Sequence, residues 1–252
     1  MNTLFDLTGR KAIVTGAAQG LAYSMAEGLM ESGAEVAVID ISDRTVEVAR
    51  EFCGRGFRCH GIQADLSRID ELEGVFSRAV DALGGLDIIV NGAGVQRRYR
   101  SEEFPTEEWD FVINVNLNSV WKLCQLAGRH FLENGGGKII NIGSLGSYIG
   151  LAESSVYCST KGGVIQLTKT MAIELGEFNI QVNCLAPGYF ITPMTQPFYD
   201  DPKHRAWIES RIPLHQWGTT LDLAGPALFL ASAASNYVTG ETIKVDGGWL
   251  AS

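Results

Sequence analysis

A chain of 252 residues, 46% hydrophobic and 19% charged, is long enough to bury a substantial core and too apolar to remain disordered. Its formal net charge of −9 excludes a long phosphate backbone as a natural partner, so no nucleic acid is expected. No apolar run reaches the length of a bilayer span, and Met1 to Asp6 lacks a basic region ahead of an apolar one, so neither a membrane nor a signal peptide is expected.

Lys11-Ala12-Ile13-Val14-Thr15 is a β-branched run that ends at Gly16 and reads as a buried parallel strand. Gly16-Ala17-Ala18-Gln19-Gly20-Leu21-Ala22 follows as a glycine-rich turn, with a helix through Met30 and a second strand at 35–40. Strand, turn, helix, strand is the unit that sets a diphosphate on a helix N-terminus. An amphipathic stretch near 45–52, a third strand near 57–63, a helix near 69–83 and a fourth strand at 86–90 come next. Residues 107–133 read as one long helix, 138–142 as a fifth strand, 155–176 as a helix, 180–185 as a sixth strand and 242–245 as the last. This alternation predicts an α/β fold in which residues 1–252 form a single doubly wound parallel sheet of about seven strands, with helices on both faces. The interval from about 188 to 213 breaks the rhythm with Pro193, Pro197 and Pro202 and a short helix near 203–211. Its place after the sixth strand suits a substrate lid.

The five cysteines, Cys53, Cys59, Cys124, Cys158 and Cys184, include no Cys-x-x-Cys pair, which leaves no basis for a disulfide framework or a zinc ribbon. No metal is expected, and a reducing, cytoplasmic setting follows by default. In the turn, Gly16 permits the tight bend and Gly20 lets backbone amides approach phosphate oxygens. Asp40 ends the second strand, twenty positions after Gly20, where a carboxylate can bind an adenosine ribose diol and would repel a 2′-phosphate; the expected cofactor is therefore NAD rather than NADP. Asn91-Gly92-Ala93-Gly94 closes the fourth strand with residues small enough for backbone to lie against a ring. Asp65, after the third strand, can receive the adenine amine or simply close a turn.

Tyr157 and Lys161 are spaced i, i+4, which on a helix stacks them on one face. A nearby ammonium favours the phenolate by roughly 1–3 pH units, enough to bring a phenol towards neutral-pH acid–base work. Ser144, on a glycine-rich stretch upstream, can hold a substrate oxygen. A serine-hydrolase reading fails, because Ile142-Gly143-Ser144-Leu145-Gly146 lacks the first glycine of G-x-S-x-G.

In series, Thr15-Gly16-x-x-x-Gly20, Asn91-x-Ala93-Gly94, Asn116, Ser144, Tyr157-x-x-x-Lys161, Pro187-Gly188 and Val245-Asp246-Gly247-Gly248 resemble the short-chain dehydrogenase/reductase family from about Leu7 to Leu250. The resemblance implies a Rossmann-type fold and a homotetramer. It implies Tyr157 as general acid/base, Ser144 as holder of the substrate carbonyl or hydroxyl, Lys161 on the nicotinamide ribose, and Asn116 (with Asn114 as a rival) as anchor of a water on the proton path. It further implies cofactor contacts at Gln19, Leu21, Ile41, Leu66, Ala93, Gly94, Pro187, Gly188 and Thr192, beside Gly16, Gly20, Asp40, Asp65 and Asn91. Ala22 and Gly92 depart from the family pattern, which has glycine and asparagine there. The substrate the resemblance implies is a small molecule. Gln96-Arg97-Arg98, with an arginine to clamp a carboxylate, and Tyr189 would meet it. This loop, Arg211-Ile212-Pro213 and Trp249-Leu250-Ala251 look most like members acting on sugar acids. A polyol dehydrogenase or a 3-oxoacyl reductase is the alternative within the family, and a dinucleotide-binding sensor the alternative outside catalysis.

Overall fold

The computed structural model describes residues 3–251. One sheet holds seven parallel strands: β1 Lys11–Thr15, β2 Glu35–Asp40, β3 Cys59–Gln63, β4 Ile88–Asn91, β5 Gly137–Ile142, β6 Ile180–Pro187 and β7 Thr242–Val245. Their spatial order is β3-β2-β1-β4-β5-β6-β7, so the winding reverses between β1 and β4, and a crevice opens beyond their carboxyl ends.

Successive side chains leave a strand on opposite faces, which gives the sheet two cores. Ala12 and Val14 of β1, Val36 and Val38 of β2, and Ile88 and Val90 of β4 enter one core, with α1 (Gly20–Glu31), α2 (Thr45–Gly54) and α9 (Leu221–Ala231). Ile13, Ala37, Ile39 and Ile89 enter the other, with α3 (Leu72–Leu83), α5 (Ser119–Asn134) and α6 (Ser155–Leu175). Burial on both faces is why these strands read as unbroken apolar runs. A third, smaller cluster joins Leu145, Ile208, Ile212, Trp217 and Trp249. It seats the 188–213 segment, which carries α7 (Gln196–Asp200) and α8 (Pro202–Arg211), against the chain's carboxyl end.

Two features differ from the sequence reading. The long helix expected over 107–133 is α4 (Thr106–Ile113) and α5 joined by a π-helical turn, Asn114–Asn118, where the Ser119 N–H reaches back five residues to the Asn114 carbonyl. A one-residue insertion hardly disturbs apolar periodicity, so the pattern does not reveal it, and such turns cluster at functional sites. Helix α9 has no clear signal in the sequence, because Gly225 and Pro226 interrupt it; burial of Leu223, Ala227 and Leu230 overrides that local cost.

Helices α1 and α9 meet at small residues. A Cβ on Gly28 would stand 3.1 Å from the Ala224 Cβ. Gly28→Val should therefore wedge the pair apart and cost about 1–3 kcal/mol, read as a lower urea midpoint at unchanged slope. An unchanged midpoint would contradict the close contact.

Candidate active site

A cleft of about 350 Å³ lies over the carboxyl ends of the central strands. At one end, Gly16 adopts φ +73°, and a Cβ there would come within 2.6 Å of the Ala93 Cα, so the first turn lies directly against the chain leaving β4. Helix α1 begins at Gly20 with no side-chain cap from Gln19, leaving its first-turn amides open to an anion. The Asp40 carboxylate is fixed at the edge: Oδ2 accepts from the Ala18 N–H at 3.0 Å and Oδ1 from the Ser42 N–H at 3.0 Å. Arg44, the nearest cation in the sequence, is instead turned to Glu47 and Glu51, at 3.4 Å each. An uncapped helix start, close glycine backbone and a pinned carboxylate fit a dinucleotide's diphosphate and ribose. Asp65 also lines the cleft, but its Oδ1 closes its own turn by accepting from the Ser67 N–H (2.9 Å) and hydroxyl (2.7 Å).

At the other end, Ser144, Tyr157 and Lys161 converge. Helix α6 sets Tyr157 and Lys161 one turn apart, with the Lys161 Nζ 5.8 Å from the phenol ring centroid. Lys161 is 4% exposed, and its Nζ donates to the Ile142 carbonyl at 2.7 Å. The Ser144 hydroxyl lies near enough to the Tyr157 phenol to lower its pKa. Ser147, which the sequence reading passed over, ties this loop to the helix: its Oγ accepts from the Ser144 N–H (3.1 Å) and donates to the Lys161 carbonyl (2.8 Å). The Ser144-x-x-Ser147 spacing is a reciprocal cap that the sequence does carry.

Asn116 sits in the π-helical turn and is fully buried. Its Oδ1 accepts from the Val95 N–H and its Nδ2 donates to the Val95 carbonyl, both at 2.8 Å, so it holds the chain beyond β4 as a neighbouring strand would. A methyl on Gly94 would lie 3.6 Å from both the Asn116 Oδ1 and the Lys161 Nζ. The rival Asn114 spends its Oδ1 on the Asn118 amide at 2.7 Å.

The electrostatics correct one expectation. Burial pushes the Tyr157 phenol above its ordinary 10, outweighing the Ser144 hydroxyl and the positive charge of Arg98, which both lower it. Lys161 is near the phenol but is not aimed at it. Its ammonium is aimed at a carbonyl, and burial pushes it down to about 8. Without a further charge in the cleft, the phenol is a proton donor held beside a hydroxyl and an ammonium. That set can bind a carbonyl oxygen and protonate it, or run the same transfer backwards from an alcohol.

Gly16, Gln19, Gly20, Leu21, Asp40, Ile41, Asp65, Leu66, Ala93, Gly94, Tyr157, Lys161, Pro187, Gly188 and Thr192 all line this one cleft. Asn91 does not: its buried amide donates to the Asn141 Oδ1 (2.8 Å) and the Cys124 Sγ (3.2 Å). Gln96 is turned to Ser154, at 3.0 Å. Arg97 is spent on Glu108 at 2.8 Å and lies over the Phe111 ring. Arg98 alone of the loop sends its charge to both the Tyr157 and Tyr189 phenols. Tyr189 packs against Trp217 and Trp249 at ring distances of 5.3 and 5.0 Å. Phe111, Val115, Phe190 and Met194 complete the walls; apolar residues outside any motif give no sequence signal. The two departures from the family pattern touch one another, for a Cβ on Gly92 would stand 2.9 Å from the Ala22 methyl. The Thr15 carbonyl, 2.7 Å from the same point, bars a Cβ there as well.

Comparison with known proteins agrees with this geometry. The family model described as enoyl-(acyl carrier protein) reductase matches residues 16–250. The 2-dehydro-3-deoxy-D-gluconate 5-dehydrogenase of Escherichia coli is 44% identical over 248 residues, 98% of each chain. A gluconate 5-dehydrogenase from Burkholderia cenocepacia, solved in complex with NADP and tartrate, superposes with a TM-score of 0.96 at 37% identity, over 99% of this chain and 98% of that one. A short-chain type dehydrogenase/reductase from Mycobacterium marinum gives a TM-score of 0.91 at 37% identity, over 98% and 97%. Full-length similarity in sequence and fold thus accompanies a serine, tyrosine and lysine gathered at one end of a dinucleotide-shaped cleft, and the chain belongs to the short-chain dehydrogenase/reductase family of oxidoreductases.

Proposed function

We propose that the protein interconverts a secondary alcohol and a ketone on a sugar acid, with NAD as its dinucleotide. The observation that carries this reading is the placement of Ser144, Tyr157 and Lys161 at one end of the cleft, with the positive charge of Arg98 near enough to lower the phenol's pKa. Among the described residues Arg98 has no carboxylate partner, whereas its neighbours Arg97 and Arg100 are paired with Glu108 and Glu102. Relatives named for gluconate and 2-dehydro-3-deoxy-D-gluconate support a sugar acid as the substrate class.

The dinucleotide, when bound, supplies the two-electron chemistry. Ser144 holds the substrate oxygen; Tyr157 donates the proton in reduction and accepts it in oxidation. Lys161 keeps a positive charge within one helical turn of the phenol, and Asn116 holds the Val95 backbone that floors the site. Arg98 receives the substrate carboxylate through paired N–H donors. The segment 188–213 serves as a lid, since Thr192 to Thr195 line the cleft while α7 and α8 pack in the third cluster.

Asp40 supports NAD, because a 2′-phosphate would meet its carboxylate with Arg44 engaged elsewhere. The NADP bound to the Burkholderia relative favours the second reading, in which Arg44 swings inward. The chain also assembles as a homotetramer, a reading supported by exposed Trp121 on α5 and Ile173 on α6, which is 84% exposed.

Tyr157→Phe should lower kcat by ~10²–10⁴-fold while NADH affinity, followed by fluorescence, stays near the parent's; unchanged turnover would refute the assignment. Lys161→Met tests the buried ammonium through stability. The lysine has a pKa of about 8 folded against 10.5 as its ordinary value, so the unfolded chain binds more protons between those limits. The parent should therefore gain about 2–4 kcal/mol on the methionine variant as pH rises across that window, and a flat difference would contradict it. For the dinucleotide, parent kcat/KM should favour NAD over NADP, and Asp40→Ala should cut that ratio by roughly 10- to 100-fold. A parent that prefers NADP overturns the NAD reading.

A further inference from the structure

We infer that Phe198, on the lid helix α7, is the positioning residue that sets Arg98 for carboxylate binding, so that acid recognition depends on the lid being seated. This rests on the reading of Arg98 given above and concerns how that arginine is held.

The Arg98 guanidinium lies 4.6 Å from the Phe198 ring centroid. An exposed arginine is a flexible side chain whose ordering costs entropy, and nothing else holds this one: it has neither a carboxylate nor a hydrogen bond among the described residues. Contact with an aromatic face restrains the guanidinium while leaving its N–H groups, which lie in the guanidinium plane, unspent. A salt bridge would hold it too, but would consume the donors a carboxylate needs. Arg97 shows that alternative, with its Nε given to Glu108 at 2.8 Å.

Phe198 is itself fixed. It belongs to the third cluster beside Tyr189 and Trp217, and its ring packs on the His204 ring at 5.0 Å. Six residues upstream, the Thr192 N–H donates to the Thr195 Oγ1 at 3.1 Å in the turn that lines the dinucleotide cleft. One short segment therefore touches the cofactor wall at one end and the carboxylate clamp at the other. The arginine is ordered by a residue of the lid, and its loop alone does not supply the clamp.

The test uses the full-length enzyme and the ratio of kcat/KM for D-gluconate to that for its uncharged polyol counterpart, sorbitol. Phe198→Leu keeps an apolar side chain but removes the π face, whereas Phe198→Tyr keeps the face. The leucine variant should raise KM for gluconate by ~3- to 30-fold and lower the ratio accordingly, and the tyrosine variant should hold it. In an Arg98→Leu background, Phe198→Leu should change the ratio less than about twofold, because the residue acts through an arginine already gone. Leucine and tyrosine variants that behave alike, or a leucine effect of full size without Arg98, would overturn the inference while leaving the clamp standing. If the parent shows no preference for the acid, or keeps its preference in Arg98→Leu, the clamp and this inference fall together.

Discussion

The structure around the cleft depends on one costly arrangement, an ammonium taken almost wholly out of water. Lys161 is 4% exposed, and a backbone carbonyl is the one hydrogen-bond partner of its ammonium among the described residues. Desolvating a charge without an opposite charge nearby costs several kcal/mol, and burial lowers its pKa to match. A fold retains such a group where the charge is used. The surroundings are organised to keep it in place: Ser147 clamps the carbonyl of the same residue, and Asn116 and Gly94 bring backbone up to the ammonium without a side chain to displace it.

Close backbone approach is the second constraint, and the two departures from the family pattern lie where it acts. At β1 the turn meets β4 with no room for a Cβ on Gly16 or Gly92. The Ala22 methyl occupies the space a side chain at 92 would take. The N-terminus of α1 stays open above them.

What the sequence made legible follows from what local chemistry controls. Strand bounds at Lys11–Thr15, Glu35–Asp40 and Thr242–Val245 were legible because β-branched runs end at glycine or acidic turns. Glycines, Asp40 and the Tyr157/Lys161 pair stand out in the sequence because tight turns, ribose binding and acid–base work each favour particular residue types, and the structure gathers them in one cleft. Side-chain direction was not legible. Arg97 and Arg98 are adjacent and chemically identical, yet one pairs with Glu108 on α4 and the other lies on a ring of α7, a hundred residues away in sequence. Asn91 sits within a cofactor motif, but its amide joins a buried pair with Asn141. The phenol's pKa is not legible in the spacing, which shows that an ammonium is near, whereas burial of the phenol decides the sign.

The identity of the proton-transfer group can be measured by replacing Tyr157 with fluorinated tyrosines, which keep its shape and acidify its hydroxyl, and recording kcat/KM for alcohol oxidation against pH. If Tyr157 moves the proton, oxidation requires its ionised form and the midpoint of the rise with pH should fall in step with fluorination. A midpoint that stays put as the phenol is made more acidic would show that another group moves the proton, and would contradict the central role given to Tyr157.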